Sequence, residues 1–145
     1  MKCVIQRVKD ARLTVEDKLI SSIDEGLLIY WGVAKGDGPE KVTYLCNKIA
    51  KLRLFTDAEG KQNLSSYDVQ AKLMVVSQFT LCADLFKGNR PSYDKAASGQ
   101  EAEPLYELAL RTFRKLGFQT VAGVFGAHMM INYTNVGPLT MVIEK

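Results

Sequence analysis

The sequence predicts an α/β fold in one domain, residues 1–145, and three observations carry that reading. Two stretches place apolar residues at helical spacing, and several short runs are rich in β-branched residues. No internal repeat, low-complexity segment or linker divides the chain. At 145 residues it is long enough to bury a core without disulfide or metal staples.

Residues 2–8, Lys-Cys-Val-Ile-Gln-Arg-Val, read as the first strand. Arg7 is its odd member and admits two readings: a solvated end-of-strand arginine, or an inward one bonded to a distant carbonyl. Residues 11–15 and 18–23 form a hairpin turning at Glu16-Asp17. Gly26 opens a nearly continuous apolar run, Leu27 to Val33, which suits a strand buried on both faces. Pro39 sits where the first turn of a helix accepts proline, and Val42, Leu45, Cys46, Ile49 and Ala50 give residues 39–50 one apolar face. Residues 52–55 are a short strand, and Thr56 to Ser66 a polar loop.

Lys72 to Val76 is an apolar strand that runs into Ser77-Gln78-Phe79-Thr80-Leu81, its end marked by small polar side chains. A basic loop with turn residues follows at 87–92, Lys-Gly-Asn-Arg-Pro-Ser. Residues 101–116 make the clearest helix, with Pro104 in the first turn, a stripe of Leu105, Leu108, Ala109, Thr112, Phe113 and Leu116, and Gly117 ending it. Strands at 118–124 and 129–133 flank Phe125-Gly126-Ala127-His128. Near the end, Asn135-Val136-Gly137-Pro138-Leu139-Thr140 separates two apolar runs. Taken alone, its Gly-Pro pair is a hairpin turn.

Composition narrows the function. Hydrophobic residues make up 47% and charged residues 24%, and the net charge of +3 leans towards anionic partners without naming one. The N-terminus has no long apolar block, so no signal peptide is expected, and no window reaches the roughly 18 apolar residues of a membrane span. Three cysteines, Cys3, Cys46 and Cys82, are widely spaced and odd in number, which argues against a disulfide framework or zinc site and fits a reducing cytoplasm.

The common catalytic constellations are missing. His128 is the only histidine and has no marked partner, and neither a nucleophile elbow nor a phosphate-cradling glycine motif occurs. No metal site and no cofactor is therefore expected. Thr80 is a candidate nucleophile, but an unactivated hydroxyl needs a base. A second route uses the backbone: two unpaired N–H groups at a strand end can stabilise an oxyanion on an ester carbonyl.

Ser-Gln-Phe-Thr-Leu at 77–81 and Asn-x-Gly-Pro-x-Thr at 135–140 together resemble the paired signature of the D-aminoacyl-tRNA deacylases. Val-Ile-Gln-Arg-Val near the start, Leu-Arg-Leu-Phe at 52–55, the Lys-Gly-Asn-Arg-Pro-Ser loop and Phe-Gly-Ala at 125–127 match in the same order. The resemblance spans essentially the whole chain. It implies sheets curled into a barrel-like core with helices packed outside, and hydrolysis of the ester between a D-amino acid, or mischarged glycine, and the terminal adenosine of tRNA. It also implies a homodimer in which the loop at Gly137 and Pro138, cis at that bond, crosses to the partner's pocket. There its carbonyls exclude an L side chain, with Arg7 bracing the loop.

By the same resemblance Ser77, Gln78, Phe79, Thr80 and Leu81 form the facing wall, and the N–H groups of Phe79 and Thr80 meet the ester carbonyl. Phe125 and Gly126 lie near the adenine, Met129 lines the same pocket, and the ribose 2′-hydroxyl assists the attacking water. The chain departs from the family pattern at Val136, where Asp, Glu or Asn is frequent. His128 stands where Asp or Met is common, and Leu139 replaces a frequent valine. Two other classes compete: a non-catalytic nucleic-acid-binding module, as for a related group linked to DNA replication origins, and a small-ester hydrolase using Thr80 or Cys82.

Overall fold

The computed structural model describes residues 1–86 and 88–145; Lys87 of the expected basic loop lies outside them. Strands β1 (Lys2–Val15) and β2 (Lys18–Gly32) form one long antiparallel hairpin, turning at Glu16 and Asp17, both with positive φ. The gap expected between residues 8 and 11 is a bulge rather than a break. Cys3 and Ile5 pack on one face of the sheet and Val8 on the other; at Asp10, φ 52°, the alternation of β1 shifts, so that Ala11 and Leu13 join Val8.

Helix α1 (Pro39–Lys51) buries Val42, Leu45, Cys46, Ile49 and Ala50, the expected face. Next come β3 (Arg53–Thr56) and β4 (Gln62–Ser65), a separate two-stranded sheet. The sequence reading placed β4 in a loop because its residues show no apolar alternation. Strand β5 (Lys72–Ser77) ends earlier than expected, and Phe79–Cys82 coil into a 3-10 turn instead of extending.

Helix α2 (Gly99–Lys115) starts two residues before the expected bound, because Ser98 and Glu101 close a reciprocal capping box. Its buried face centres on Ala102, Tyr106, Ala109, Leu110 and Phe113, with Leu105, Leu108 and Leu116 at the margin. Strand β6 is only Thr120–Ala122, and β7 (Met130–Glu144) runs unbroken through the stretch expected to be a hairpin turn.

The main sheet has the order β6-β5-β2-β1-β7, with β5 parallel to both β2 and β6. Central β2 buries Leu27, Leu28 and Ile29 completely, which accounts for its unbroken apolar run. Both helices cover one face, where Trp31 meets Phe113 edge-on at 6.2 Å and the Tyr106 hydroxyl donates to the Val75 carbonyl at 2.8 Å. A smaller cluster around Val8, Leu13, Leu28 and Met74 fills the other face.

The barrel-like closure implied by the resemblance is not present: the sheet is open, with β6 and β7 as its edges. Three-residue β6 has little ladder to offer β7, so the two edges stay apart.

Ahead of α1 the Asp37 carboxylate, 1% exposed, pairs with Lys41 Nζ and the Met1 ammonium, both at 2.7 Å. It also accepts the Ala34 N–H at 2.7 Å. Burial favours the neutral acid, but the hydrogen bonds from Lys41, the ammonium and Ala34 outweigh it and hold the pKa below the usual value. A carboxylate lowered in this way stabilises the fold above its unfolded pKa, and that contribution is lost as pH falls through the folded one. Asp37→Asn is therefore expected to cost about 3 kcal/mol at pH 7. The variant should also lose less stability than the parent on acidification below about pH 4. Urea unfolding at neutral and acid pH measures both, and equal losses for the two proteins would refute the assignment.

Candidate active site at the ends of the parallel strands

Strands β2, β5 and β6 run parallel, and the chain leaves their carboxyl ends at one edge of the sheet, the usual place for a crevice in an α/β fold. A pocket of about 540 Å³ opens there, in the range of small-ligand sites. Trp31, Val33 and Val76, at and just beyond the ends of β2 and β5, form its apolar base. Ser77, Gln78 and Phe79 make one wall. The first two turns of α2 make another, through Gly99, Ala102 and Tyr106, while Phe125 to Met129 close the far side.

The wall at Ser77 is shaped by the change from strand to 3-10 turn. Gln78 N–H still bonds the Trp31 carbonyl at 2.9 Å, continuing the β5 ladder by one step. The chain then coils, and Leu81 N–H turns back onto the Gln78 carbonyl at 3.3 Å. The N–H groups of Phe79 and Thr80, first in the turn, have no acceptor among the described residues. That is the position at which a helical turn leaves donors free. The turn lies hard against the end of β2: a Cβ on Gly32 would approach the Gln78 carbonyl and Leu81 Cβ to 3.0 Å each.

Ionisable chemistry is sparse. Gln78 Nε2 donates to Thr80 Oγ1, and no carboxylate or imidazole bonds that hydroxyl among the described residues. His128 is exposed at the rim. Burial raises the Cys82 thiol pKa, and Cys46, also buried, is pushed up to about 12, so neither supplies a ready thiolate. No three His, Cys, Asp or Glu side chains gather as metal ligands among the described residues.

Six of the expected site residues, Ser77, Gln78, Phe79, Phe125, Gly126 and Met129, line this pocket. Thr80 and Leu81 belong to the turn behind it. Arg7, Gly137 and Pro138 lie elsewhere, on the β1–β7 ladder. There Gln6 pairs with Thr140 and Val8 with Asn135, so Val136 to Leu139 bulge out opposite Arg7 alone.

Arg7 Nε donates to the Val136 carbonyl at 3.2 Å and Nη1 to the Leu54 carbonyl at 2.9 Å. Asn135 Nδ2 bonds the carbonyls of Arg7 and Leu139 at 3.0 and 3.1 Å, pinning both ends of the bulge. The Gly137-Pro138 bond is cis, and both residues are exposed. Arg7 and Val136 line a second cavity of about 500 Å³, separate from the first.

Sequence reasoning did not assign Trp31, Gly99, Ala102 and Tyr106 to the site. Tyr106 and Phe125 rings lie 5.9 Å apart, so the tyrosine backs the far wall. In the sequence Trp31 read as buried strand and Ala102 and Tyr106 as helix, while Gly99 fell outside the expected helix; only the Ser-x-x-Glu cap at 98–101 marks where α2 begins.

The family model described as D-Tyr-tRNA(Tyr) deacylase matches residues 4–144. The chain belongs to the D-Tyr-tRNA(Tyr) deacylase family. It is 44% identical to the D-aminoacyl-tRNA deacylase of Thermosipho africanus over 145 residues, covering 100% of this chain and 97% of that one. It is 47% identical to the namesake in Dehalococcoides mccartyi, covering 100% and 95%. Among solved structures, a c-Myc DNA Unwinding Element Binding Protein superposes with a TM-score of 0.94 at 36% identity, over 100% of this chain and 99% of that one. A probable eukaryotic D-amino acid tRNA deacylase superposes at 0.84 with 14% identity, over 98% and 97%, a likeness of fold alone. In this member of the D-Tyr-tRNA(Tyr) deacylase family, the pocket has apolar walls beside the N–H groups of Phe79 and Thr80.

Proposed function

We propose that this protein hydrolyses the ester linking a D-amino acid to the terminal adenosine of tRNA, acting in the cytoplasm without a cofactor, and that it also clears mischarged glycyl-tRNA. The observation that carries the mechanism is the pair of N–H groups at Phe79 and Thr80, acceptor-free among the described residues, beside a pocket in which those residues supply no oriented base. Water adds to the ester carbonyl carbon, and the carbonyl oxygen takes up charge against these two donors. The bond to the ribose oxygen then breaks, that oxygen leaves with a proton, and free D-amino acid and tRNA result. The neighbouring 2′-hydroxyl of the substrate orients the water, a role that no side chain fills among the described residues. Ser77 and Gln78 shape the wall, while Phe125, Gly126 and Met129 receive the adenosine.

The Gly137-Pro138 loop supplies chirality from the second subunit of a homodimer. Two observations support this: the loop is exposed and apart from its own chain's pocket, and edge strand β7 exposes Met130, Met141 and Val142. Loop carbonyls held by Arg7 and Asn135 stand where an L side chain would project, and exclusion by clash needs no added affinity for the D isomer. A second reading, a nucleic-acid-binding module without catalysis, is favoured by the likeness to the DNA unwinding element binding protein. Release of amino acid from D-aminoacyl-tRNA, which a binding module would not give, decides between them.

Three outcomes are expected. In sedimentation, the active sample should have the mass of two 16.1 kDa chains, and full activity in a one-chain species would end the loop-crossing model. Thr80→Ala should lose less than about tenfold in rate, whereas removing a true acid–base or nucleophilic group costs about 10²–10⁴-fold. An acyl-enzyme trapped on Thr80 would restore the hydroxyl to the mechanism.

The last outcome concerns the loop. At Gly137, φ is 146° and a Cβ would sit 2.6 Å from the Leu139 nitrogen, so Gly137→Ala must displace the carbonyls. The ratio of D- to L-aminoacyl-tRNA cleavage should fall about tenfold or more, with a smaller fall for Arg7→Ala. An unchanged ratio in both variants would place chiral selection elsewhere.

A further inference from the structure

The loop that follows the 3-10 turn presents a side chain for which the pocket has no use. Asp84 and Ser92 exchange two backbone hydrogen bonds, of 2.8 and 3.1 Å, and so close the loop between them. The Asp84 carboxylate accepts the Phe86 N–H at 3.1 Å and pairs with Lys95 Nζ at 3.0 Å, fixing the course of the loop's first residues. From that course Phe86 projects into solvent with 98% of its surface exposed, next to Leu85 at 65%.

A single exposed apolar side chain is ordinary. Phe86, however, belongs to a segment that carries aromatic surface outward from the pocket. Tyr93, one residue past the closing pair, meets Phe79 with 5.1 Å between ring centroids, and Phe79 lines the pocket wall. Both rings are partly exposed, at 43% and 55%. The segment's carboxylates are engaged, Asp84 by Lys95 and Asp94 by the Ser92 hydroxyl at 2.9 Å. Arg90 forms no ion pair among the described residues, and the chain as a whole carries +3.

Building on the deacylase reading, we infer that Phe86 is a stacking platform for the single-stranded 3′ end of tRNA, outside the pocket that takes the terminal adenosine. Unpaired bases stack on aromatic rings with little regard to their identity, and arginine and lysine neutralise the phosphates between them. All tRNAs end in the same unpaired nucleotides, so one sequence-tolerant ring serves every substrate. Tyr93, against Phe79 at the pocket wall, belongs to the same segment, and Arg90 supplies the cation.

The test compares two esters of one D-amino acid, one on full-length tRNA and the other on adenosine alone. Phe86→Ala and Phe86→Leu should each lower kcat/KM for the tRNA ester about tenfold, and Phe86→Trp should restore it. All three variants should cleave the adenosine ester at the parent rate, because that substrate ends inside the pocket. The inference is overturned if Phe86→Ala leaves the tRNA ester unaffected, weakens both esters equally, or if Phe86→Leu matches the parent. It also falls if Phe86→Ala changes the sedimentation mass, which would mean that the ring covers a second copy of the chain. A parent enzyme that cleaves neither ester defeats the deacylase reading itself, an outcome distinct from all of these.

Discussion

Arg7 sits where the β1–β7 ladder skips four residues, and the hydrogen bonds there replace those that the ladder gives up. Its guanidinium ties the Val136 carbonyl to the Leu54 carbonyl, so it joins the last strand of the main sheet to the segment after α1. Asn135 closes the base of the same gap from the other side. Hydrogen bonds from a charged donor contribute about 1.5–3 kcal/mol each when partly buried, enough to fix one register over its neighbours. Leu139 then re-enters the core at 6% exposure, and pairing resumes at Thr140. The shape of the bulge, the burial of Leu139 and the course of the final strand are therefore one problem with one solution.

The pocket depends on a different consistency. Parallel pairing of β2 with β5 ends at Trp31 and Ser77, which sets the turn at Phe79 beside the end of β2. The capping box at Ser98 and Glu101 fixes where α2 starts, and Tyr106 anchors that helix to Val75 on β5. Elements distant in sequence thus meet at one crevice because their ends, rather than their faces, are aligned. The result is a pocket whose wall at Phe79 and Thr80 presents main-chain N–H groups, set by the course of the backbone and not by the identity of those side chains.

Legibility in the sequence followed the physics of each element. The face of α1 and the doubly buried β2 were readable because burial imposes a local period or an unbroken apolar run. Strand β4 was not, since Gln62, exposed, pairs with exposed Thr56 at a solvated edge where no period is required. The apolar pair Phe79 and Leu81 could not distinguish a strand from a 3-10 turn, because the choice is made by contacts with Gly32 at the end of β2. The bulge at Asp10 was visible only as a break between two strand patterns. For the site, motif resemblance brought out the residues of the Ser77 wall and the far wall, but Trp31 and Tyr106 looked like plain core. The partner of Arg7, 129 positions away, is beyond any reading of local spacing.

Strand β7 is 15 residues long and forms an edge of the sheet, a profile that in many proteins templates open-ended pairing with other chains. The bulge changes that. Pro138 has no N–H to offer, and Val136 to Leu139 leave the plane of the ladder, so no incoming strand can bond along the full edge. What remains is two pairing surfaces on either side of an obstruction, so an incoming strand meets this edge as two separate stretches. The same Gly-Pro kink that shapes the edge thus interrupts it as a template, and any variant that straightened it would offer one continuous 15-residue β-edge in its place.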